Sequence, residues 1–108
     1  LIYVWSPKMV YSAKHLIQFS DFCKKRGLHF TAVVDNWDSS QLLEEVIAHY
    51  KIREKVIYMS SVELFMRGLN HYPTSFVYSK GKLSRMPILG VVTDDHLAVD
   101  IVSRISKL

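Results

Sequence analysis

The chain has 108 residues, 49% of them hydrophobic and 22% charged, with a formal net charge of +4. That length suits one domain around one core, and the composition is that of an ordinary globular protein. No apolar run approaches the ~18 residues of a membrane span. The cations are scattered through Lys24-Lys25-Arg26, Lys51/Arg53/Lys55 and Lys80/Lys82/Arg85 rather than gathered among aromatics, so neither membrane insertion nor nucleic-acid binding is expected.

Leu1-Ile2-Tyr3-Val4-Trp5 reads as a short buried strand. Pro7 breaks it and suits a first helical turn. From Lys8 to Arg26 the residues favour one long helix, with Ala13, Leu16, Ile17, Phe19 and Cys23 on its apolar face and Gly27 as the residue that ends it. Phe30 to Val34 is a second buried strand, closed by Asp35-Asn36-Trp37-Asp38. Asp38 and Gln41 form a capping box for a helix that turns Leu42, Leu43, Val46, Ile47 and Tyr50 inward. This strand–helix–strand order requires a right-handed crossover and a parallel pair.

Val56 to Met59 is a short extended piece, and Ser60 with Glu63 opens a short helix carrying Val62, Phe65, Met66 and Leu69. After Asn70-His71-Tyr72-Pro73, Thr74 to Tyr78 forms a strand, Lys80-Gly81 a turn, and Leu83 to Leu89 the antiparallel partner. Pro87 marks that partner as an edge strand. Thr93 caps a last helix, with Asp94 and Asp95 in its first turn and Leu97, Ile101, Val102 and Ile105 facing the core. The chain starts on a core strand, without a signal peptide or an initiator Met, and reads as a single domain over 1–108 that is excised or lacks its N-terminal segment.

Trp5 followed by Met9-Val10-Tyr11-Ser12, Tyr72-Pro73-Thr74 before a hairpin, and Gly90 after the last strand together resemble the thioredoxin-like superfamily, in its TlpA/ResA-like branch. That family carries Trp-x-x-x-Cys-x-x-Cys at the first site and a cis-proline at the second. The resemblance covers essentially the whole chain. It implies an α/β fold, βαβα(α)ββα, with a four-stranded mixed sheet, helices on both faces and a cis-proline loop at Pro73. It also implies a periplasmic or otherwise extracytoplasmic compartment. The family's extra N-terminal strand or hairpin is absent.

The two cysteine positions of the family are Met9 and Ser12 here, and the buried acid that many members place six residues before the first cysteine is Tyr3. A thioether cannot attack a disulfide, and the Ser12 hydroxyl has no evident activating base. No catalytic residue is assigned. Cys23 lies eleven residues past Ser12 in sequence, about 16 Å along a helix, and reads as a buried structural thiol. Met9 and His71 are a Cu(I)-compatible pair but too few ligands for a site. No metal and no cofactor is expected. Strand polarity brings Trp5, Met9, Val10, Tyr11, Ser12, Trp37, His71, Tyr72 and Pro73 to one edge of the sheet, where ligands of open α/β sheets bind. In the family this edge takes extended peptide, which needs no cysteine.

The expected role is therefore a redox-inactive module that binds a protein or peptide segment or serves as a scaffold. The alternative is an oxidoreductase-related protein that uses a thiol from another segment or partner. A third possibility is an assembly module with apolar surface on the last helix. The sequence leaves the oligomeric state open.

Overall fold

A computed structural model describes residues 1–35, 40–54, 56–59 and 73–107. The strands are β1 (Ile2–Trp5), β2 (Thr31–Asp35), β3 (Val56–Met59), β4 (Thr74–Phe76), β5 (Tyr78–Ser79), β6 (Lys82–Leu83) and β7 (Ile88–Leu89). The helices are α1 (Val10–Lys14), α2 (Leu16–Lys25), α3 (Ser40–His49) and α4 (Asp94–Ser106). Five strands form one mixed sheet in the order β3-β2-β1-β4-β7, and β5 and β6 form a separate ribbon.

The sheet has five strands rather than the expected four, because Val56–Met59 pairs in parallel with β2. As expected, β1 and β2 are parallel and β4 runs against β1. The strand that follows Pro87 is an edge strand. The single long hairpin expected over 74–89 is divided. At Val77 the backbone N–H donates to the Ser84 hydroxyl, 3.0 Å, in place of a carbonyl. Pro87, which has no N–H to give, separates the ribbon from β7. The Lys80-Gly81 turn has φ +52° and +76°, the two left-handed positions of a type I′ turn.

Alternate residues of the strands point to opposite faces. One face carries Tyr3, Trp5, Ala32 and Val34, packed with Ala13 of α1, Leu16, Phe19, Phe22 and Cys23 of α2, Leu43 of α3, and Leu97 and Ile101 of α4. The step β1→β2→β3 goes one way across the sheet, and right-handed crossovers put their helices on one side. The other face buries Val4, Val33 and Phe76, with Ile2 and Leu83 against them. The short helix expected to begin at Ser60, with its capping box, lies outside the described residues, as do Asp38, Trp37, His71 and Tyr72. No described helix is long and apolar enough to cross a membrane.

The helix expected over Lys8–Arg26 is two helices meeting at His15, whose φ −95° and ψ 1° lie outside the helical range. Residues 6–9 form a turn instead of a helical start, with Met9 N–H donating to Ser6 O at 3.0 Å and Pro7 at the turn position it favours. At the other end, Gly27 adopts φ +65°. Its N–H donates to Lys24 O and that of Leu28 to Cys23 O, the double closure of a Schellman motif. The end of α3 is built alike, with Lys51 N–H to Ala48 O and Ile52 N–H to Ile47 O. Its left-handed residue is Lys51, φ +54°.

Thr93 Oγ1 accepts the His96 N–H at the start of α4. Along this helix Leu97 and Ile101 are buried as expected, whereas Val102 and Ile105 are exposed. Val102 lies about 100° round the helix from Ile101, whereas Ile105 continues the Leu97–Ile101 stripe into the last turn and is exposed there.

Candidate functional site

The site grows from the end of β1. In the register, Val4 lies opposite Thr74, and Thr74 opposite Leu89. Antiparallel pairing then sets Trp5, Pro73 and Gly90 in one row across three strands. The Gly90 N–H donates to Pro73 O at 2.9 Å, which closes that row. Trp5 is also level with Val34, and Val34 with Tyr58. The sheet edge reached by Trp5, Pro73 and Gly90 is the one from which the Ser6–Met9 turn and α1 rise.

Ser12 is fully buried. Its hydroxyl oxygen accepts the Ser6 N–H at 3.0 Å and lies 2.8 Å from Ser6 O and 2.6 Å from Met9 O. One hydroxyl proton serves those two carbonyls, so the group's hydrogen-bonding capacity is spent on the turn. The carbonyl of Ser12 in turn accepts the Tyr3 hydroxyl at 2.6 Å. Burial raises the Tyr3 pKa well above the ordinary phenol value, so the group is a neutral donor across the physiological range.

The three residues before Ser12 are the opposite. Met9, Val10 and Tyr11 are 48%, 57% and 69% exposed. Leu89 and Val91, on either side of Gly90, are also exposed. Strand polarity by itself does not point to Val91; the row of Gly90 with Pro73 is its only signal. Trp5 belongs to this edge by register, but its ring is entirely within the core. It supports the edge from beneath and lines nothing. Its indole N–H has no acceptor among the described residues. Trp37, His71 and Tyr72 fall outside the described residues.

Behind Tyr11 a polar chain leads to α4. The Tyr11 and His15 rings stack at 6.0 Å. His15 Nδ1 meets Gln18 Oε1 at 3.0 Å, and the Gln18 amide donates to Val92 O. Cys23 lies in the core, and desolvation pushes its thiol up, partly offset by the positive N-terminus and Arg26. It is the chain's sole cysteine, so no disulfide forms within the chain. Among the described residues no three His, Cys, Asp or Glu side chains converge as a metal site.

No protein-family model matches the chain, and no curated protein does. Solved structures do. The chain is similar to DsbF of Mycobacterium tuberculosis, at 14% identity and TM-score 0.72, over 94% of this chain and 77% of that one. It is similar to StoA from Bacillus subtilis, at 21% identity and TM-score 0.68, over 89% and 76%. It is also similar to the exposed lipoprotein thioredoxin of Streptococcus pneumoniae, at 19% identity and TM-score 0.71, over 94% and 82%. At these identities the likeness is one of fold.

Proposed function

Starting from a chain with the thioredoxin-like fold, we propose that it is a redox-inactive domain that binds an extended protein segment at the edge formed by Met9–Tyr11, Pro73 and the Gly90 loop. The observation that carries this reading is the condition of the two positions where the family has cysteines. Met9 is an exposed thioether with no proton to lose, and Ser12 is a buried hydroxyl committed to the turn. Two of the similar structures are named as a disulfide oxidoreductase and a thioredoxin, whose chemistry needs two thiols to form and resolve a mixed disulfide. What persists here is the surface. Exposed Met, Val and Tyr side chains beside exposed Leu89 and Val91 can contact apolar side chains, and main-chain groups at a sheet edge can pair with a strand. Trp37, His71 and Tyr72 belong to the proposed edge by sequence, with Trp5 as its support.

The test has two arms. The first is insulin reduction driven by dithiothreitol, with Cys23→Ala alongside. No turnover above background is expected, and turnover lost in the variant would overturn the redox-inactive reading in favour of an oxidoreductase. The second is a titration with a reduced, carboxymethylated unfolded protein, followed by amide chemical shifts. Changes are expected at Met9 to Ser12 and at Gly90. Changes confined to other surfaces would remove this edge as the binding site.

A second reading, an assembly module, draws support from the exposed Val99, Val102 and Ile105 on α4. It requires a mass that rises with concentration in light scattering; a constant monomer mass would eliminate it.

A further inference from the structure

Remote from the redox question, the β5–β6 ribbon, the segment after it and the C-terminal half of α4 line an open cavity of about 730 Å³. Four cations line it: Lys82, Arg85, Arg104 and Lys107. In sequence these residues form two close pairs, Lys82 with Arg85 and Arg104 with Lys107, and the packing of α4 beside the ribbon brings the two pairs together.

Arg104 is already engaged. Its Nε donates to Met86 O at 3.2 Å and its Nη2 to Pro87 O at 3.3 Å, while Nη1 lies 3.6 Å from Asp100 Oδ1. It ties the helix to the chain before β7, and Asp100 is the carboxylate that neutralises it. Lys82, Arg85 and Lys107 have no ion pair among the described residues and are exposed at the rim. At the back is Ser84, which is 5% exposed. Its oxygen accepts the Val77 N–H, and its own proton has no acceptor among the described residues. Two ammonium groups and one guanidinium thus line the cavity without an ion pair among the described residues. Leu83 and Met86 add an apolar wall.

We propose that this cavity binds a compact polyphosphate group, carried either by a soluble oligophosphate or by a multiply phosphorylated headgroup. Its volume is that of a small-molecule site. Three uncompensated cations match a ligand with several adjacent negative charges. A guanidinium fork fits phosphate oxygens in a bidentate way, and lysines serve as mobile point charges around them. Occupancy also relieves the repulsion among Lys82, Arg85 and Lys107.

The test uses the full chain and sodium tripolyphosphate in calorimetric titrations. Binding is expected to weaken as salt is raised, since exposed charges carry it. The triple variant Lys82→Ala, Arg85→Ala and Lys107→Ala should bind at least about tenfold more weakly. Its fold should persist, because none of the three holds another element. The pair Lys24→Ala and Lys25→Ala, at the end of α2, should bind as the parent does. No binding, or equal binding by the triple variant, overturns the proposal. Citrate binding as tightly as tripolyphosphate overturns the phosphate assignment. Phosphatidylcholine vesicles with and without phosphatidylinositol bisphosphate separate the two sources. Co-sedimentation that requires the bisphosphate and is lost in the triple variant assigns the headgroup, whereas tripolyphosphate binding without it assigns the soluble ligand.

Discussion

The hydroxyl of Tyr3 donates a 2.6 Å hydrogen bond to the backbone carbonyl of Ser12. The bond joins the first strand to the first helix. It does so between a residue standing where many thioredoxins have a buried acid and one standing where they have their second cysteine. Both residues are engaged in hydrogen bonds within the fold. The core side of the sheet and the turn that presents Met9 to Tyr11 are thereby fixed to each other.

Tyr3→Phe keeps the ring, which packs on Phe19 at 4.9 Å between centroids, and removes only the donor. It should cost about 1–2 kcal/mol, the price of leaving a buried carbonyl short of a partner. Urea unfolding followed by circular dichroism measures it. A midpoint equal to that of the parent would show that the bond contributes nothing net.

Ser12→Ala removes the group that accepts from Ser6 N–H and donates to the turn carbonyls. About 1–3 kcal/mol of destabilisation is expected. Faster amide hydrogen exchange at Ser6 should accompany it and should exceed any change at the remote Leu97. Uniform acceleration at both would mean that the loss is global, with no local role for the hydroxyl.

Lys51 occupies the left-handed position that closes α3, at φ +54°. A side chain there is strained and glycine is not. Lys51→Gly should therefore raise stability by about 0.5–1 kcal/mol, read as a higher thermal midpoint. Gly27→Ala, at the equivalent position after α2 and φ +65°, should lower it by about as much.

Two buried acids bear on alkaline stability. Burial raises the pKa of both Cys23 and Tyr3, so the folded state holds protons that the unfolded state releases first. Stability is fully present below the ordinary thiol value. It should fall as pH rises through that value of about 8.5 and, for Tyr3, beyond about 10. Urea midpoints between pH 7 and 11 follow this (about 8.5 and 10 being the points of onset). Tyr3→Phe should flatten the upper part of the fall and leave the lower part.

The edge was legible in the sequence because strand polarity follows from element order. Once Leu1–Trp5 and Phe30–Val34 are parallel and Thr74 starts a strand of opposite sense, Trp5 and Pro73 must meet. Val56–Met59 is legible in the sequence only as an extended piece, since four residues without strict alternation signal no pairing partner. Val102 and Ile105 look like core by hydrophobicity, yet helix geometry turns Val102 away from the Leu97–Ile101 stripe, and Ile105 lies at the exposed end of that stripe. The break at His15 had no glycine or proline to announce it.

By itself, the sequence determined what chemistry the chain lacks. A single cysteine, with Met9 and Ser12 in the two thiol positions, settles that no disulfide forms within it, because side-chain chemistry is independent of conformation. Tertiary structure alone decided what the remaining groups do. Ser12 is buried and bound to the turn, Trp5 is drawn wholly under the edge, and Lys82, Arg85, Arg104 and Lys107 surround one cavity. The physical reason is that burial and charge density depend on which distant segments pack together. Here the packing of α4 against the sheet and beside the β5–β6 ribbon brings those segments together, whereas local spacing gave only each element's own face.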